Sequence, residues 1–324
     1  MKIAIVGSGA LGSYYGAKLC RAGHETHFLV RSDLAVVRRD GVRILSAGGD
    51  FSVRPAIAGD PGEIGQADLV VVALKTTANA ALPALIPPLL GAGTAVLTLQ
   101  NGLGNEEALA AVVRSGRIFG GLCFVCLNRE APGVIRHIAH GRIVLGAFQR
   151  PADAETRAIA RIFEESGVPC SVTDDLARVH WEKLVWNIPF NGLGVASVAG
   201  WGPWADPPSP WAILREPVLT TDRLLSDARW AGLVRELMLE VIAVARTLGH
   251  AIPYSAADEQ IQRTRDMGAY RASTVVDFEL GRPLELDAMF LQPLRHAVAQ
   301  GVPAPRLRIL CEVLERLSRE SSSG

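Results

Sequence analysis

Apolar residues follow two rhythms along the 324-residue chain. Up to about residue 150 the dominant signal is the short apolar run, as in Ile3–Val6, Ala67–Leu74 and Thr94–Leu99, of a length that suits strands buried on both faces. Glu25–Val30 reads as a further strand. Helical spacing lies between them, with Leu11, Tyr14, Tyr15, Lys18 and Leu19 on one stripe and residues 79–90 as a second helix. Strands alternating with helices predict a mostly parallel α/β sheet with right-handed crossovers. Residues 117–127, 133–138 and 141–145 read as three more strands, with Pro132-Gly133 and Gly141 at the turns.

From about residue 152 the spacing becomes helical and stays so, apart from a short extended stretch at 168–172. Helices are expected over 153–166, 175–187, 227–248, 256–268, 272–280, 287–300 and 306–319. Gly167, Gly249, Gly281 and Gly301 each follow one of them, where a left-handed residue ends a helix. The pattern therefore predicts two domains, a Rossmann-type sheet domain over 1–170 and an all-helical domain over 171–324. Each is long enough to bury its own core.

Three stretches break the pattern. Residues 200–217 crowd Trp201, Trp204 and Trp211 among five prolines and read as a long surface loop, either a lid or partner surface or rings buried on the protein's own body. Residues 76–105 carry no charge, but prolines, glycines, Asn79, Gln100, Asn101 and Asn105 interrupt them, so a buried helix–strand unit fits better than a membrane span. Ser321–Gly324 is expected to be disordered.

The first apolar run leads straight into Gly7-Ser8-Gly9-Ala10-Leu11-Gly12 and then into a helix, the context a dinucleotide fingerprint requires. Gly7 allows the tight turn, Gly9 lets the backbone approach a pyrophosphate, and Gly12 lets helix and strand pack closely. The helix N-terminus then offers N–H groups to the phosphates. Arg31 stands at the end of the second strand, where NAD-specific folds place an acid for the ribose 2′-hydroxyl; a cation there suits the 2′-phosphate of NADP. Asp33 is the competing acid, although Ser32-Asp33 also reads as a helix cap. Lys75 and Asn101 follow the third and fourth strands at their carboxyl ends, where ligands bind in open α/β sheets. Read blandly, they are a helix-entry lysine and a turn-forming Asn-Gly.

Lys plus Arg and Asp plus Glu both number 33, so no basic excess points to nucleic acid or an anionic membrane. Five cysteines and a chain that opens directly on a strand lead us to expect reduced thiols and a cytoplasmic protein. Cys123/Cys126 and His137/His140 look like metal pairs, but residues three apart on a strand face opposite ways, so no metal is expected.

A nicotinamide site implies hydride transfer, and carbonyl reduction also needs a proton donor. Lys183 and Asn187 lie four apart on one helical face, with Asn191 four further on. Pro189 should kink the helix and turn Asn191 inward. An ammonium flanked by two amides between Trp181 and Trp186 is unusual in a plain core helix, though a surface lysine is the ordinary alternative.

These residues carry a resemblance. The chain resembles the ketopantoate reductases over nearly its whole length, through Gly7–Gly12, Arg31, Leu74-Lys75-Thr76, Gln100-Asn101-Gly102 and Gly133–His137. The match continues through Lys183–Asn187 with Asn191, then Ser273 and Glu285 within Ala272–Asp287. The resemblance implies an NADP-binding Rossmann domain, a helical substrate and dimerisation domain, and an active-site cleft between them. It implies that Lys183 protonates the carbonyl oxygen as NADPH delivers hydride, which suits an amine whose ordinary pKa is about 10.4. Glu285 would orient that ammonium and the cofactor ribose. Asn101 and Ser273 would hold the substrate carboxylate, Asn187 and Asn191 its hydroxyl, and Lys75 would sit beside the nicotinamide. The implied role is reduction of ketopantoate for pantothenate and coenzyme A synthesis. Tyr270 stands where family members often carry Asn, and the 200–217 loop is longer than usual, so another bulky 2-oxo acid, or a non-catalytic NADP(H) sensor, remains an alternative. A homodimer is compatible with the helical half.

Overall fold

The computed structural model describes residues 1–114, 116–205 and 216–321, apart from the side chain of Ser321. They form two compact units, Met1–Leu176 and Ala177–Gly324.

The first unit is a ten-stranded sheet wrapped by helices. In chain order it contains β1 (Lys2–Val6), α1 (Ala10–Arg21), β2 (Glu25–Leu29), α2 (Leu34–Asp40), β3 (Val42–Ser46), β4 (Phe51–Val53) and β5 (Ala56–Ala58). There follow α3 (Pro61–Ile64), β6 (Leu69–Val72), α4 (Leu82–Leu85), β7 (Ala95–Thr98) and α5 (Asn105–Ala110). The unit ends with β8 (Ile118–Ala131), β9 (Val134–Ala147), α6 (Ala154–Glu165) and β10 (Cys170–Thr173). The strand order is β4-β3-β9-β8-β7-β6-β1-β2-β5, with β10 also on β9. Only the β8–β9 and β3–β4 pairs are antiparallel, so this is the expected Rossmann-type, mostly parallel sheet. Burial explains the uninterrupted apolar runs. Ile3 and Ile5 enter one core with Tyr15, Phe28 and Leu97, while Ala4 and Val6 enter the other with Val70, Val72 and Val96. Burying each such side chain contributes roughly 1.5–3 kcal/mol, which favours an interior place in the sheet for β1.

Several expectations fail here for local reasons. The helix expected over 79–90 is broken into a 3₁₀ turn at Thr76–Ala81, one turn of α4, and another 3₁₀ turn at Pro87–Leu89. Pro83, Pro87 and Pro88 lack the N–H groups a continuous helix would need. The strands expected at 133–138 and 141–145 are one strand, β9. His140 and Gly141 take positive φ values of 64° and 132°, forming a bulge where the register shifts opposite Phe124/Val125 rather than a turn.

The second unit contains only helices among its described residues. It contains α7 (Leu176–Ala196, whose first residue closes the first unit), α8 (Thr221–Ser226), α9 (Ala228–Thr247), α10 (Ser255–Arg265) and α11 (Ser273–Glu279). A π-turn at Asp287–Leu291 leads into α12 (Gln292–Ala299), and α13 (Pro305–Ser321) ends the unit. Asp227 caps α9 by accepting from the N–H groups of Arg229 and Trp230. One face of α9 buries Leu233, Leu237, Val241 and Val244 as expected. Gly167, Gly249, Gly281 and Gly301 have φ of 73°, 92°, 62° and 64°, the left-handed helix ends that the sequence indicated.

Two helices depart from expectation. α7 continues through Pro189 to Ala196 instead of ending near 187, its surroundings being buried from Asn187 to Ala199. Tertiary packing thus outweighs the one missing hydrogen bond. The helix expected over 287–300 starts as a π-turn, because Gln292 N–H reaches back to Asp287 O and Pro293 has no N–H for Met289.

Within the stretch expected as a Trp-rich loop, Gly202–Trp204 is a 3₁₀ turn, and the rings of Trp201 and Trp204 pack 5.2 Å and 6.5 Å from that of Trp230. Its central part, including Pro207, Pro208, Pro210 and Trp211, lies outside the described residues, as does the tail 322–324. Among the described residues no helix is long and apolar enough to cross a membrane.

Candidate functional site

Four parallel strands of the first unit end in register. Val6 pairs with both Leu29 and Val72, and Val72 pairs with Thr98. The loops carrying Gly7–Gly12, Arg31, Lys75 and Asn101 therefore leave the sheet at one level, on its carboxyl edge.

The glycines there do three different jobs. Gly7 has φ of 107°, and a Cβ on it would lie 2.6 Å from the backbone of Ala73 and Leu74. A Cβ on Gly12 would lie 2.0 Å from the carbonyl oxygen of Gly7. Both glycines are thus required by the packing of α1 on the strand ends. Gly9 differs: an added Cβ would meet nothing within 4 Å, so the space over the loop is open. No side chain caps the first turn of α1, which begins with Ala10, Leu11 and Gly12. An open cradle above an uncapped helix start fits a pyrophosphate. The hydroxyl of Ser8 is turned away, donating to Leu29 O at 3.0 Å, and that of Ser13 donates to Ser8 O at 3.1 Å, so the loop is tied at both ends. Burial pushes the phenols of Tyr14 and Tyr15 up, keeping both neutral in the body of α1.

Arg31 is exposed at the end of β2 and pairs with no acid among the described residues. Asp33 sits at the N-cap position of α2, but its side chain does not cap the helix. It pairs instead with Arg129 on β8, a charge-assisted bond that outcompetes a neutral N–H.

Lys75 is exposed at the start of the first 3₁₀ turn, and Asn101 is half-buried. A chain of amides holds the Asn101 loop. Thr98 donates to Gln100 (3.1 Å), Gln100 to Asn79 (2.7 Å), Asn79 to Asn105 (3.1 Å), and Asn105 to the Asn101 carbonyl (3.0 Å). Sequence reasoning noted Asn79 and Asn105 only as polar interruptions of an apolar segment. Their grouping in a charge-free stretch was the available signal.

In the second unit, Lys183, Asn187 and Asn191 line one face of α7. Lys183 is half-buried, while Asn187 and Asn191 are 7% and 2% exposed. A Cβ on Gly194 would lie 2.6 Å from Val275, so α7 lies close against α11. Across that contact Asn191 Oδ1 accepts from Thr274 N–H at 2.9 Å and from the Ser273 hydroxyl at 3.3 Å. The structure thus joins Ser273 to Asn191, and it gives Asn191 a second task in holding the first turn of α11. Glu285 is buried just before the π-turn. Tyr270 lies 6.2 Å, ring to ring, from Trp186.

Both ring nitrogens of His137 are engaged within the protein. His137 Nε2 donates to His140 O at 2.8 Å, which leaves Nδ1 to accept from the Ser46 hydroxyl at 2.9 Å.

A glycine loop over a free helix start, joined in one chain to a helical unit whose α7 carries a half-buried lysine in line with two buried amides, defines a dinucleotide-binding oxidoreductase of the α/β class. Residues 3–150 match the model of the ketopantoate reductase family PanE/ApbA and residues 212–318 its C-terminal domain. The chain is 38% identical to a 2-dehydropantoate 2-reductase of a Nostoc species, covering 100% of this chain and 97% of the relative. The crystal structure of 2-dehydropantoate 2-reductase from Geobacter metallireducens superposes with a TM-score of 0.88 at 43% identity, covering 98% of this chain and 99% of that one. That of the Methylococcus capsulatus enzyme gives 0.87 at 30% identity, covering 100% and 99%. The chain belongs to the ketopantoate reductase family.

Proposed function

We propose that the protein reduces ketopantoate to pantoate with NADPH, in the cytoplasm, as a step toward pantothenate and coenzyme A. The observation that carries this reading is the face Lys183–Asn187–Asn191, with Ser273 bonded to it, in a chain similar over its full length to 2-dehydropantoate 2-reductases. NADPH is preferred because Arg31 offers a guanidinium with no acidic partner among the described residues where the ribose 2′-phosphate would lie.

The bound nicotinamide supplies hydride. The remaining chemistry falls to the protein. Gly7, Gly9 and Gly12, with Ser8, Ala10 and Leu11, shape the pyrophosphate cradle, and Lys75 lies at the nicotinamide end. Lys183 donates the proton to the carbonyl oxygen, and Glu285 orients the ammonium and the cofactor ribose. Asn101 and Ser273 hold the carboxylate, and Asn187 and Asn191 bind the hydroxyl of the substrate.

The test is NADPH oxidation followed at the nicotinamide absorbance with ketopantoate and a panel of 2-oxo acids, with NADH in parallel. Turnover fastest on ketopantoate is expected. Tyr270 beside Trp186 supports a second reading, a bulkier 2-oxo acid, which predicts higher kcat/KM for a larger side chain. NADPH binding without turnover on any 2-oxo acid would leave a sensor.

A further inference from the structure

We infer that Arg129 sets coenzyme choice without touching the coenzyme, by occupying Asp33. This rests on the NADPH reading above. The turn after β2 carries both signs: Arg31, which suits a 2′-phosphate, and Asp33, which suits a free 2′-hydroxyl. An unengaged carboxylate two residues from Arg31 would pair with the guanidinium and repel a phosphate that carries about −2.

The structure removes that conflict. Arg129 comes from β8, far along the chain, and a register shift between Arg129 and Ala131 marks a bulge beside it. Its guanidinium bonds Asp33, whose side chain is only 12% exposed in consequence. Asp33 holds the N-cap position yet caps nothing, so the pairing takes precedence over its ordinary local role. Arg31, Asp33 and Arg129 together leave one net positive charge at this corner, and Arg31 keeps no acidic partner among the described residues. Without Arg129 the corner is neutral and Asp33 is available to Arg31 or to a ribose hydroxyl. Arg129 is a positioning residue for specificity.

The experiment measures NADPH and NADH dissociation constants by nicotinamide fluorescence, which needs no substrate. The proteins are the full chain, Arg129→Met, Asp33→Asn and the double variant. The full chain should bind NADPH more tightly. Arg129→Met should lower the NADPH/NADH affinity ratio about tenfold, through NADPH alone, the scale of one unit charge acting near a protein surface. Asp33→Asn in that background should restore the ratio, and Asp33→Asn alone should not lower it. Parallel weakening of both coenzymes by Arg129→Met would reveal a merely structural loop effect and overturn the inference, as would an unchanged ratio or a failed restoration. Should Arg129→Met not fold, Arg129→Lys must hold the ratio within about twofold, since it keeps the charge; a larger fall with NADH binding intact would equally overturn it. A full chain that prefers NADH sinks the NADPH reading itself, which an unchanged ratio in an NADPH-preferring protein does not.

Discussion

The two units prepare their candidate sites in opposite ways. In the first, the cradle is made of absences: no Cβ at Gly7 and Gly12 where backbone crowds in, and none at Gly9 where nothing does. In the second, the face on α7 is made of side chains, and at least one already carries a structural bond, Asn191 to Thr274. A site built from backbone can be blocked without loss of stability. A site built from engaged side chains cannot be emptied so cleanly.

Gly9→Val puts this contrast to its hardest test. The φ of −72° at Gly9 is ordinary for any residue, and an added Cβ meets nothing within 4 Å. The variant should melt at the same temperature as the parent while nucleotide affinity falls by about 10² or more, since the phosphates can no longer approach the helix start. A calorimetric scan and a nicotinamide fluorescence titration check both halves. Wild-type affinity would mean the cradle lies elsewhere.

Lys183→Ala addresses the second unit. Turnover should fall by about 10² or more, the loss expected for a general acid, with the NADPH dissociation constant nearly unchanged. Steady-state kinetics beside a binding titration would expose a lysine that merely packs, because kcat would then survive.

The smallest effect sharpens the comparison most. Asn191→Ala removes the acceptor of a buried N–H and should cost about 1–3 kcal/mol of stability together with activity. Denaturant unfolding measures it. A variant as stable as the parent but inactive would return Asn191 to the same kind as Gly9.

The same division governs how much was legible in the sequence. β1, β6 and β7 could be read because burial on both faces writes an unbroken apolar run, and the fingerprint because its six residues are contiguous. Residues 41–58 could not be read: β4 and β5 have three residues each, and Arg43, Ser52 and Ala56 face outward, which leaves no period to detect. The prolines at 83, 87 and 88 were visible, but helical spacing was given more weight than their missing donors. Gly141 announced a deviation, though a bulge and a turn use the same residue. On the helical side the stripe at Lys183 emerged from spacing alone. Ser273 lies 82 positions beyond Asn191, and no local pattern predicts that pairing. The family resemblance gave each residue a role toward the substrate but did not pair them. The Arg129–Asp33 pair, 96 positions apart, had no such help and was missed.

Tyr270 shows where this architecture leaves room to change. Its main chain is fastened by the Thr221 N–H bonding to Tyr270 O at 3.0 Å and its own N–H bonding to the Thr221 hydroxyl at 3.2 Å. Neither bond involves the ring. These two main-chain bonds do not depend on which non-proline residue stands at 270, whereas Asn191 secures the start of α11 through its side chain, so the two positions carry unequal structural cost when the residue type changes.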